Sequence, residues 1–458
     1  MAPKFGTSGL RGLVIDLTSD LVSDHVQAFI RACPVGTGLF VGRDLRPSSL
    51  AISGMVTKAA RAMGLAVTDC GAVPTPALAL AAMELGAAAV MITGSHIPTD
   101  RNGLKFYTPA GEITKSQEID ILDALGDQVN GTVGPDIVQN TTAGDVYITR
   151  FVTAYGTSLT GLRIGVYSHS AVGRDILLDL LTQLGADVIE LGRSSDFIPV
   201  DTEAVDPTVR VHLKSWVMDF GLDAIISTDG DGDRPLMTDA TGTVIMGDVL
   251  GQITGAALDA AVAVTPVSSN TGAEKKFDTV VRTCIGSPYV IAGMEAVGGN
   301  VIGYEANGGF LLGFNASGPV GPLSPLMTRD AILPLIAPLA LARAAGGLAA
   351  LVNAQPARFT AADRLQGVTT QSSNALVNDL DTNKIKRASF LAGLGGIEAS
   401  LDRTDGLRVT LQDGRIVHLR PSGNAPELRM YVEADTLLAA NKTLTKGLVA
   451  LRVALQLR

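Results

Sequence analysis

The sequence contains little cysteine, and this scarcity excludes two kinds of stabilised domain. Its three cysteines, Cys33, Cys70 and Cys284, lie far apart in 458 residues and are odd in number. Disulfide-stapled domains and structural zinc sites typically show several cysteines at short, regular spacings. The sequence therefore indicates neither a disulfide framework nor a zinc site.

Long uninterrupted apolar runs are also missing. The nearest approaches are the alanine-rich stretches 76–91 and 333–351, which are interrupted by Glu84 and by Arg343 with a Gly-Gly pair. Because a membrane-spanning helix needs about 20 predominantly apolar residues, we expect a buried helix in each stretch and no membrane partner. The opening residues lack the charged head and apolar stretch of a signal peptide, so we expect a cytoplasmic protein.

An excess of positive charge is absent as well, since the formal net charge is −9. Nucleic-acid-binding domains are usually basic, so the balance argues against a nucleic-acid partner. It leaves open a small anionic substrate, because such a ligand is bound by a few local arginines and lysines and not by the total charge.

Short β-branched runs alternate with longer alanine- and leucine-rich stretches, a pattern typical of an α/β protein. One hydrophobic core rarely serves 458 residues, so several domains are expected. We place their boundaries at 1–148, 149–248, 249–355 and 356–458. Each segment contributes one polar, glycine-rich loop, and we expect the four loops to meet at a central cleft.

The strongest chemical signal follows the apolar run that ends at Thr228. Asp229, Asp231 and Asp233 alternate with glycines there, and such carboxylates can converge on one divalent cation. A helix-loop-helix calcium loop also opens Asp-x-Asp-x-Asp, but its turn glycine is replaced here by Arg234 and its twelfth-position glutamate by Ala240. The pattern therefore favours magnesium.

A second signal surrounds Ser95, which follows a predicted strand at residues 87–93 in the run Thr-Gly-Ser-His-Ile-Pro. A serine at the carboxyl end of a strand, with Lys105 ten residues later, can be a nucleophile or a phosphate carrier. It is not the serine of a Gly-x-Ser-x-Gly elbow. Taken by itself, this loop is weak evidence for catalysis.

Five motifs together resemble the phosphohexomutase superfamily of phosphomannomutases and phosphoglucomutases, in order and spacing over nearly the whole chain. They are an opening motif, a phosphoserine loop, a metal loop, a sugar-recognition loop and a C-terminal phosphate-binding loop, at residues 5–12, 93–98, 229–234, 304–309 and 420–429. The resemblance implies three similar α/β domains with mixed sheets and a smaller C-terminal α+β domain around a central cleft.

The resemblance also implies a mechanism. Ser95 would carry a phosphoryl group, and one of its oxygens would join Asp229, Asp231 and Asp233 around one Mg²⁺ ion. A hexose phosphate would accept this phosphoryl group, and hexose 1,6-bisphosphate would be both intermediate and activator. Phosphoryl transfer depends mainly on positioning and charge neutralisation, which this set of groups can supply.

The resemblance also implies parts for four neighbouring residues. Lys105 is our first choice for the general base, but it could equally serve only to neutralise phosphate. Arg11 is the alternative base. His96 is expected to hydrogen-bond near the phosphoserine, and Arg234 either to contact the phosphoserine or to pair with the neighbouring aspartates.

The resemblance assigns recognition of the substrate's phosphate to the C-terminal loop and recognition of its hexose to the loop of the third domain. Arginine binds phosphate through two parallel hydrogen bonds, and turn N–H groups can bind its remaining oxygens. The phosphate-binding residues would be Arg420, Ser422, Gly423, Asn424 and Arg429.

In the sugar loop, Glu305 would accept hydrogen bonds from two sugar hydroxyls, and Asn307 would supply another. Many bacterial members read Glu-x-Ser-Gly-His at this loop, whereas this chain ends it with Gly308 and Gly309. The glycine pair could simply widen the pocket. In the phosphoserine loop, Gly94 stands where the family usually has alanine, and Ile97 where it usually has asparagine.

These features predict a phosphomannomutase, with a phosphoglucomutase or an enzyme of dual specificity as the alternative. A phosphoglucosamine mutase is less favoured, because that branch usually opens Gly-Thr-Asp-Gly where this chain has Gly-Thr-Ser-Gly. A sugar-phosphate phosphatase and a non-catalytic sensor are disfavoured by the complete catalytic set. We also expect a hinge before the last domain, since the bisphosphate must be released and readmitted.

Overall fold

The structure is a computed structural model that describes residues 3–6, 8–127, 132–422 and 426–456. Gly423 and Asn424, both predicted to bind phosphate, lie outside the described residues. The remaining predicted site residues are described. The structure agrees with the predicted class, since mixed sheets flanked by helices precede a smaller unit built on an antiparallel sheet.

The first domain is built on a mixed sheet. Its elements are β1 Lys4–Phe5, β2 Leu10–Leu13, a 3-10 turn Val14–Asp16, α1 Ser19–Ala32, β3 Leu39–Arg43, α2 Ser49–Ala62, β4 Val67–Ala72, α3 Thr75–Glu84, β5 Ala88–Ile92, β6 Arg101–Thr108, β7 Gly111–Glu112, α4 Lys115–Asp123 and β8 Val138–Gln139. The strand order is β1-β2-β6-β5-β3-β4-β8, with β7 paired to β6. The central strand β5 is buried on both faces, because Val90 packs with α1 and α2 and Met91 with α3.

The second domain repeats this arrangement with five strands. Its elements are α5 Ala143–Tyr155, β9 Arg163–Tyr167, α6 Arg174–Gln183, β10 Asp187–Leu191, α7 Pro207–Phe220, β11 Ala224–Thr228, β12 Pro235–Thr238 and β13 Val244–Ile245. The order is β10-β9-β11-β12-β13, with parallel β9, β10 and β11. Divisions after residues 148 and 248 would cut α5 and the next helix, α8 Gly247–Ala257, so we move these two proposed boundaries to before Ala143 and before Gly247.

The third domain again has a mixed five-stranded sheet, in the order β15-β14-β16-β17-β20. Its elements are α8 Gly247–Ala257, β14 Val262–Pro266, a 3-10 turn Thr271–Lys275, β15 Thr279–Thr283, α9 Ser287–Val297, β16 Val301–Tyr304, β17 Phe310–Leu312, β18 Ala316–Ser317, β19 Pro322–Leu323, β20 Leu326–Asp330, α10 Leu333–Ala345 and α11 Leu348–Asn353. The tight turn that carries Glu305 connects β16 to β17.

The fourth domain is an antiparallel sheet, ordered β21-β25-β24-β23-β22 and covered by helices. Its elements are β21 Phe359–Gln366, α12 Thr370–Thr382, α13 Lys384–Gly393, β22 Glu398–Asp402, β23 Leu407–Leu411, β24 Ile416–Pro421, β25 Glu427–Ala434 and α14 Leu437–Ala454. Its hydrophobic core is separate from those of the other three domains.

The two alanine-rich stretches are buried, but neither is the single helix that we expected. Residues 76–91 contain most of α3, a short turn and the start of β5. Residues 333–351 contain α10 and most of α11, separated at Gly346, whose φ of 83° suits glycine. No helix within the described part of the chain combines the length and hydropathy needed to cross a membrane.

One large apolar core joins the first three domains. It contains Leu78 from α3, Phe151 from α5, Ile226 from β11 and Phe310 from β17. The fourth domain instead meets the third through polar contacts, including an Ile285 N–H that donates to Asp405 Oδ2 at 2.9 Å. The first three sheets are therefore held together more firmly than the fourth, which agrees with the predicted hinge without testing it.

Candidate active site

Ser95 lies just beyond the carboxyl end of β5, in a strained turn. Its φ is 52°, in the left-handed region that few non-glycine residues adopt, and its side chain is fully buried. The Ser95 N–H donates to Thr93 Oγ1 at 2.7 Å. Its Oγ donates to Asp229 Oδ2 at 2.5 Å, so the predicted phosphoserine and the predicted metal loop are in direct contact.

A buried arginine that the sequence analysis did not single out fixes the Ser95 loop. Arg46 Nη2 donates to the carbonyl oxygens of Ser95 at 2.8 Å and Ile97 at 2.5 Å. Its Nη1 donates to those of Pro98 at 2.7 Å and Arg101 at 3.0 Å. These bonds brace the loop around Ser95 and Ile97.

The side chain of Arg46 is itself held by two contacts. Its Nε lies 3.2 Å from Asp44 Oδ2, which also accepts a hydrogen bond from Thr93 Oγ1 at 2.8 Å. Its guanidinium lies 4.1 Å from the ring centroid of Phe197 in the second domain. The available sequence signal was Asp44-Leu-Arg46, a pair of opposite charges directly after the apolar run that forms β3.

The three aspartates of the metal loop converge after β11. One carboxylate oxygen from each of Asp229, Asp231 and Asp233 lies within 4.8 Å of the other two, and all three side chains are buried. Asp231 Oδ1 and Asp233 Oδ1 have no hydrogen-bond partner among the described residues. Buried oxygens left free in this way fit the requirements of a hard divalent cation.

The electrostatics of the cluster depend on Lys105, which projects from β6. Its Nζ lies 2.5 Å from Asp231 Oδ2 and 2.5 Å from Asp233 Oδ2. Burial and the neighbouring Asp231 raise the pKa of Asp229 well above its usual value. For Asp231, burial acts in the same direction, but Lys105 outweighs it and lowers the pKa. Lys105 thus neutralises two aspartates while leaving their Oδ1 atoms free.

His96 and Arg234 form a pair beside the serine. Arg234 Nη1 lies 2.8 Å from His96 Nδ1, and since a guanidinium can only donate, the imidazole nitrogen accepts. The same Nδ1 lies 3.4 Å from Ser95 Oγ. Burial, reinforced by Arg234, lowers the pKa of His96 to about 3, so the ring is neutral. Arg234 Nε lies 4.0 Å from Asp229 and 3.9 Å from Asp233, so it also takes part in the salt bridges considered above.

Arg11 lies on β2, opposite Gly103 of β6. Burial lowers the pKa of its guanidinium to about 10, and the positive charge of Arg234 contributes in the same direction. The structure therefore places both candidates for the general base, Lys105 and Arg11, on adjacent strands of the first sheet.

The sugar loop is a compact turn between β16 and β17. Asn307 Oδ1 accepts from the Gly309 N–H at 3.0 Å, so this side chain braces the loop. The backbone oxygen of Asn307 accepts from Thr202 Oγ1 of the second domain at 3.0 Å. Glu305 is buried, with Oε2 3.4 Å from Nη1 of Arg329, a β20 residue outside every motif that the sequence analysis used.

In the fourth domain, three arginines form a row across adjacent strands. Arg364 of β21 is paired in register with Arg429 of β25, which is paired with Arg420 of β24. Like charges directly opposite each other are destabilising unless something neutralises them. Asp405 lies 2.9 Å from Arg420, and Glu427 lies 3.4 Å from Arg364 and 3.6 Å from Arg429. An anion can bind on this face, and Arg364 was not anticipated.

Four successive segments of the chain each match one domain family, and the descriptions of all four families begin with phosphoglucomutase/phosphomannomutase. Residues 2–129, 145–242 and 238–359 match the families described as phosphoglucomutase/phosphomannomutase, alpha/beta/alpha domains I, II and III. Residues 361–445 match the phosphoglucomutase/phosphomannomutase C-terminal domain. The matches cover nearly the whole chain.

Relatives support the same grouping. A phosphomannomutase of Sinorhizobium fredii is 45% identical over 98% of this chain and 99% of its own length. A phosphomannomutase of Salmonella muenchen is 41% identical over 94% of this chain and 92% of its own. A solved phosphoglucomutase/phosphomannomutase family protein from Burkholderia thailandensis has a TM-score of 0.78, with 22% identity, and covers 98% of this chain and 97% of its own. The last likeness shows a shared fold.

Proposed function

The chain belongs to the phosphoglucomutase/phosphomannomutase family, and from that premise we propose that it is a phosphomannomutase that uses Ser95 as the phosphate carrier. The observation that carries the proposal is the 2.5 Å contact between Ser95 Oγ and Asp229, at the edge of three buried, convergent aspartates. A merely structural serine would not need three buried carboxylates beside it.

The donor set fits one Mg²⁺ ion, held by Asp229, Asp231, Asp233 and an oxygen of phosphorylated Ser95. A bound ion of this kind neutralises the negative charge of the phosphoryl group. Lys105 holds the Oδ2 atoms of Asp231 and Asp233, so their free Oδ1 atoms remain available.

In the forward half-reaction, the O1 or O6 hydroxyl of a bound mannose phosphate attacks the phosphorus of phosphoserine. The new sugar O–P bond forms as the Ser95 Oγ–P bond breaks, and mannose 1,6-bisphosphate results. Lys105, in its uncharged form, takes the hydroxyl proton, with Arg11 as the alternative, and this proton then passes to the departing Ser95 Oγ. The bisphosphate then turns over and returns its other phosphoryl group to Ser95.

The phosphate that is not being transferred binds the fourth domain. Arg420 and Arg429 face the same side of adjacent strands, and Ser422 directly precedes Gly423 and Asn424 in the sequence. Glu305 accepts hydrogen bonds from the sugar hydroxyls. We also infer a cytoplasmic location, which agrees with the lack of a membrane-spanning helix among the described residues.

A coupled mutase assay tests the proposal. Wild type and Ser95→Ala would be compared with Mg²⁺ and a trace of hexose 1,6-bisphosphate, on mannose 1-phosphate and on glucose 1-phosphate. We expect turnover by wild type, with mannose 1-phosphate preferred, and a loss of at least about 10³-fold in Ser95→Ala, since nucleophile removal typically costs this much.

Each outcome of the assay has a defined meaning. A preference for glucose 1-phosphate would make the protein a phosphoglucomutase, and equal rates would indicate dual specificity. Phosphate release without an isomerised sugar would indicate a phosphatase. If the folded, Ser95-phosphorylated protein turned over neither sugar, amino-sugar phosphates would be the next substrates to assay, and the assignment to mannose would be wrong.

A further inference from the structure

Arg329 occupies the junction of the first three domains. It lies on β20 of the third domain, and only 2% of its side chain is exposed. Its Nη2 lies 2.9 Å from Asp233 Oδ2 of the metal loop, and its Nη1 lies 3.4 Å from Glu305 Oε2 of the sugar loop. Its Nε lies 3.7 Å from Glu112 Oε1 of the first domain. A single guanidinium thus connects the loop expected to bind sugar with the loop expected to bind metal.

The charges around Arg329 explain how it tolerates burial. An isolated buried guanidinium would be costly, but three carboxylates surround this one. Glu112 is in turn fixed by Ser287 Oγ, which donates to Oε2 at 2.6 Å. Removing the cation would leave three buried carboxylates repelling one another, and Glu305 would lose its cationic partner.

The space for Arg329 is provided by the sugar loop itself. A Cβ added at Gly309 would lie 2.9 Å from Arg329 Cδ and 3.0 Å from its Cγ. The φ of Gly309 is outside the left-handed range, so the local backbone would accept an ordinary side chain. Glycine is therefore favoured at position 309 because of the contact with Arg329 and not because of the backbone conformation. Arg329 fills the space that this final glycine of the loop leaves.

We propose that Arg329 is a positioning residue for substrate recognition, which orients the Glu305 carboxylate toward the hexose hydroxyls through the space left by Gly309. The proposal rests on the proposed function, since it takes Glu305 as the sugar-binding group. It adds a third-domain residue from outside all five sequence motifs. It also explains why position 309 accepts no side chain larger than that of glycine.

A double-mutant cycle tests the proposal. The variants are Arg329→Gln, Glu305→Gln and the double variant, with mannose 6-phosphate affinity measured by calorimetry at saturating Mg²⁺ and with kcat and KM from the mutase assay. We expect each single variant to weaken binding by about tenfold, as for loss of one charged hydrogen bond, and to raise KM more than it lowers kcat. The double variant should bind about as weakly as Glu305→Gln alone, because Arg329 acts through Glu305.

Three further variants guard against an effect on folding. Gly309→Ala leaves Arg329 in place but pushes against it, so it should also raise KM, whereas Gly54→Ala adds a methyl group where nothing lies within 4 Å and should leave KM unchanged. Arg329→Lys keeps the positive charge, but a lysine cannot contact the metal loop and the sugar loop at once. This variant should therefore retain part of the affinity that Arg329→Gln loses. Thermal melting of every variant would show whether it is folded.

The outcomes separate this inference from the proposed function. Wild type that binds mannose 6-phosphate without isomerising it would contradict the mutase, while the binding cycle would still decide the role of Arg329. Fully multiplicative losses in the double variant would overturn the inference, as would a change in the Mg²⁺ requirement with no change in sugar affinity, since Arg329 would then act through Asp233. Absence of hexose phosphate binding by wild type would overturn both.

Discussion

At the scale of single residues, the reactive serine is held by a side chain from a different part of the chain. Arg46 donates to four carbonyl oxygens of the loop that follows β5, and one of these belongs to Ser95. A backbone held in the left-handed region needs such support, because it costs on the order of 1–3 kcal/mol. Arg46 therefore positions the serine without contacting its hydroxyl.

We predict that Arg46→Lys slows turnover without preventing hexose phosphate binding. A lysine keeps the positive charge but cannot donate to four carbonyl oxygens at once, so the loop loses its bracing. The expected loss in kcat is about tenfold or more, with a smaller change in KM and a lower melting temperature. Steady-state kinetics and thermal melting would measure these effects.

The matched control is Arg343→Lys, which alters an exposed arginine that donates to one carbonyl oxygen, that of Thr160. It should behave as wild type. If Arg46→Lys retained full kcat, the guanidinium would not be needed to position Ser95.

Single residues also show what the sequence could and could not predict. Ser95 and the aspartates could be named because they lie in short motifs, and Lys105 because it follows Ser95 by ten residues. Arg46 and Arg329 could not, because their partners are carbonyl oxygens and carboxylates distant in sequence. A buried arginine has no local periodicity that distinguishes it from an exposed one.

At the scale of elements, the antiparallel strands β21, β25 and β24 determine the row of arginines in the fourth domain. Register places Arg364, Arg429 and Arg420 opposite one another, and residues opposite each other in a sheet share a face. The sequence analysis recognised Arg420 and Arg429 from one motif. Arg364 lies more than fifty residues earlier, and only the strand pairing brings it alongside them.

We predict that Arg364→Ala raises the KM for hexose phosphate by roughly threefold to tenfold and leaves kcat nearly unchanged. The side chain is partly exposed, so its attraction to a phosphate is screened by water and salt. The effect should shrink as ionic strength rises, and KM measured at two salt concentrations would show this.

Arg403→Ala provides the control, because Arg403 is an exposed arginine of the same domain, 2.7 Å from Asp381 and outside the row. The same rise in KM for both variants would indicate a general effect of domain charge, and Arg364 would then have no specific part in phosphate binding.

Element boundaries followed the local sequence where apolar periodicity was clear. Apolar alternation at residues 407–411 predicts a strand, which is β23, and the apolar pattern at residues 174–184 predicts a helix, which is α6. The expected strand at residues 87–93 is β5, whereas the helix expected over residues 76–91 was wrong, because α3 ends at Glu84 and β5 begins at Ala88. Alanine suits both a buried helix and a buried strand, so composition did not mark the turn at residues 85–87 that separates them.

At the scale of the whole molecule, three sheets share one core while the fourth domain keeps its own. This division places Ser95, the aspartates and Glu305 on the firmly joined part, and the row of arginines on the part joined by polar contacts. The number of domains could be predicted from length and repeated pattern. The junction at Arg329 could not, because it depends on how three separate sheets pack.

The central claim is that phosphate passes through Ser95, and peptide mapping by mass spectrometry tests it most directly. The protein would be phosphorylated with hexose 1,6-bisphosphate and Mg²⁺, separated from excess reagent, and mixed with hexose monophosphate for a single turnover. The account predicts one phosphate on the peptide containing Ser95, which disappears as an equal amount of hexose bisphosphate forms. Full turnover with Ser95 unmodified, or with the transferable phosphate on another residue, would contradict it.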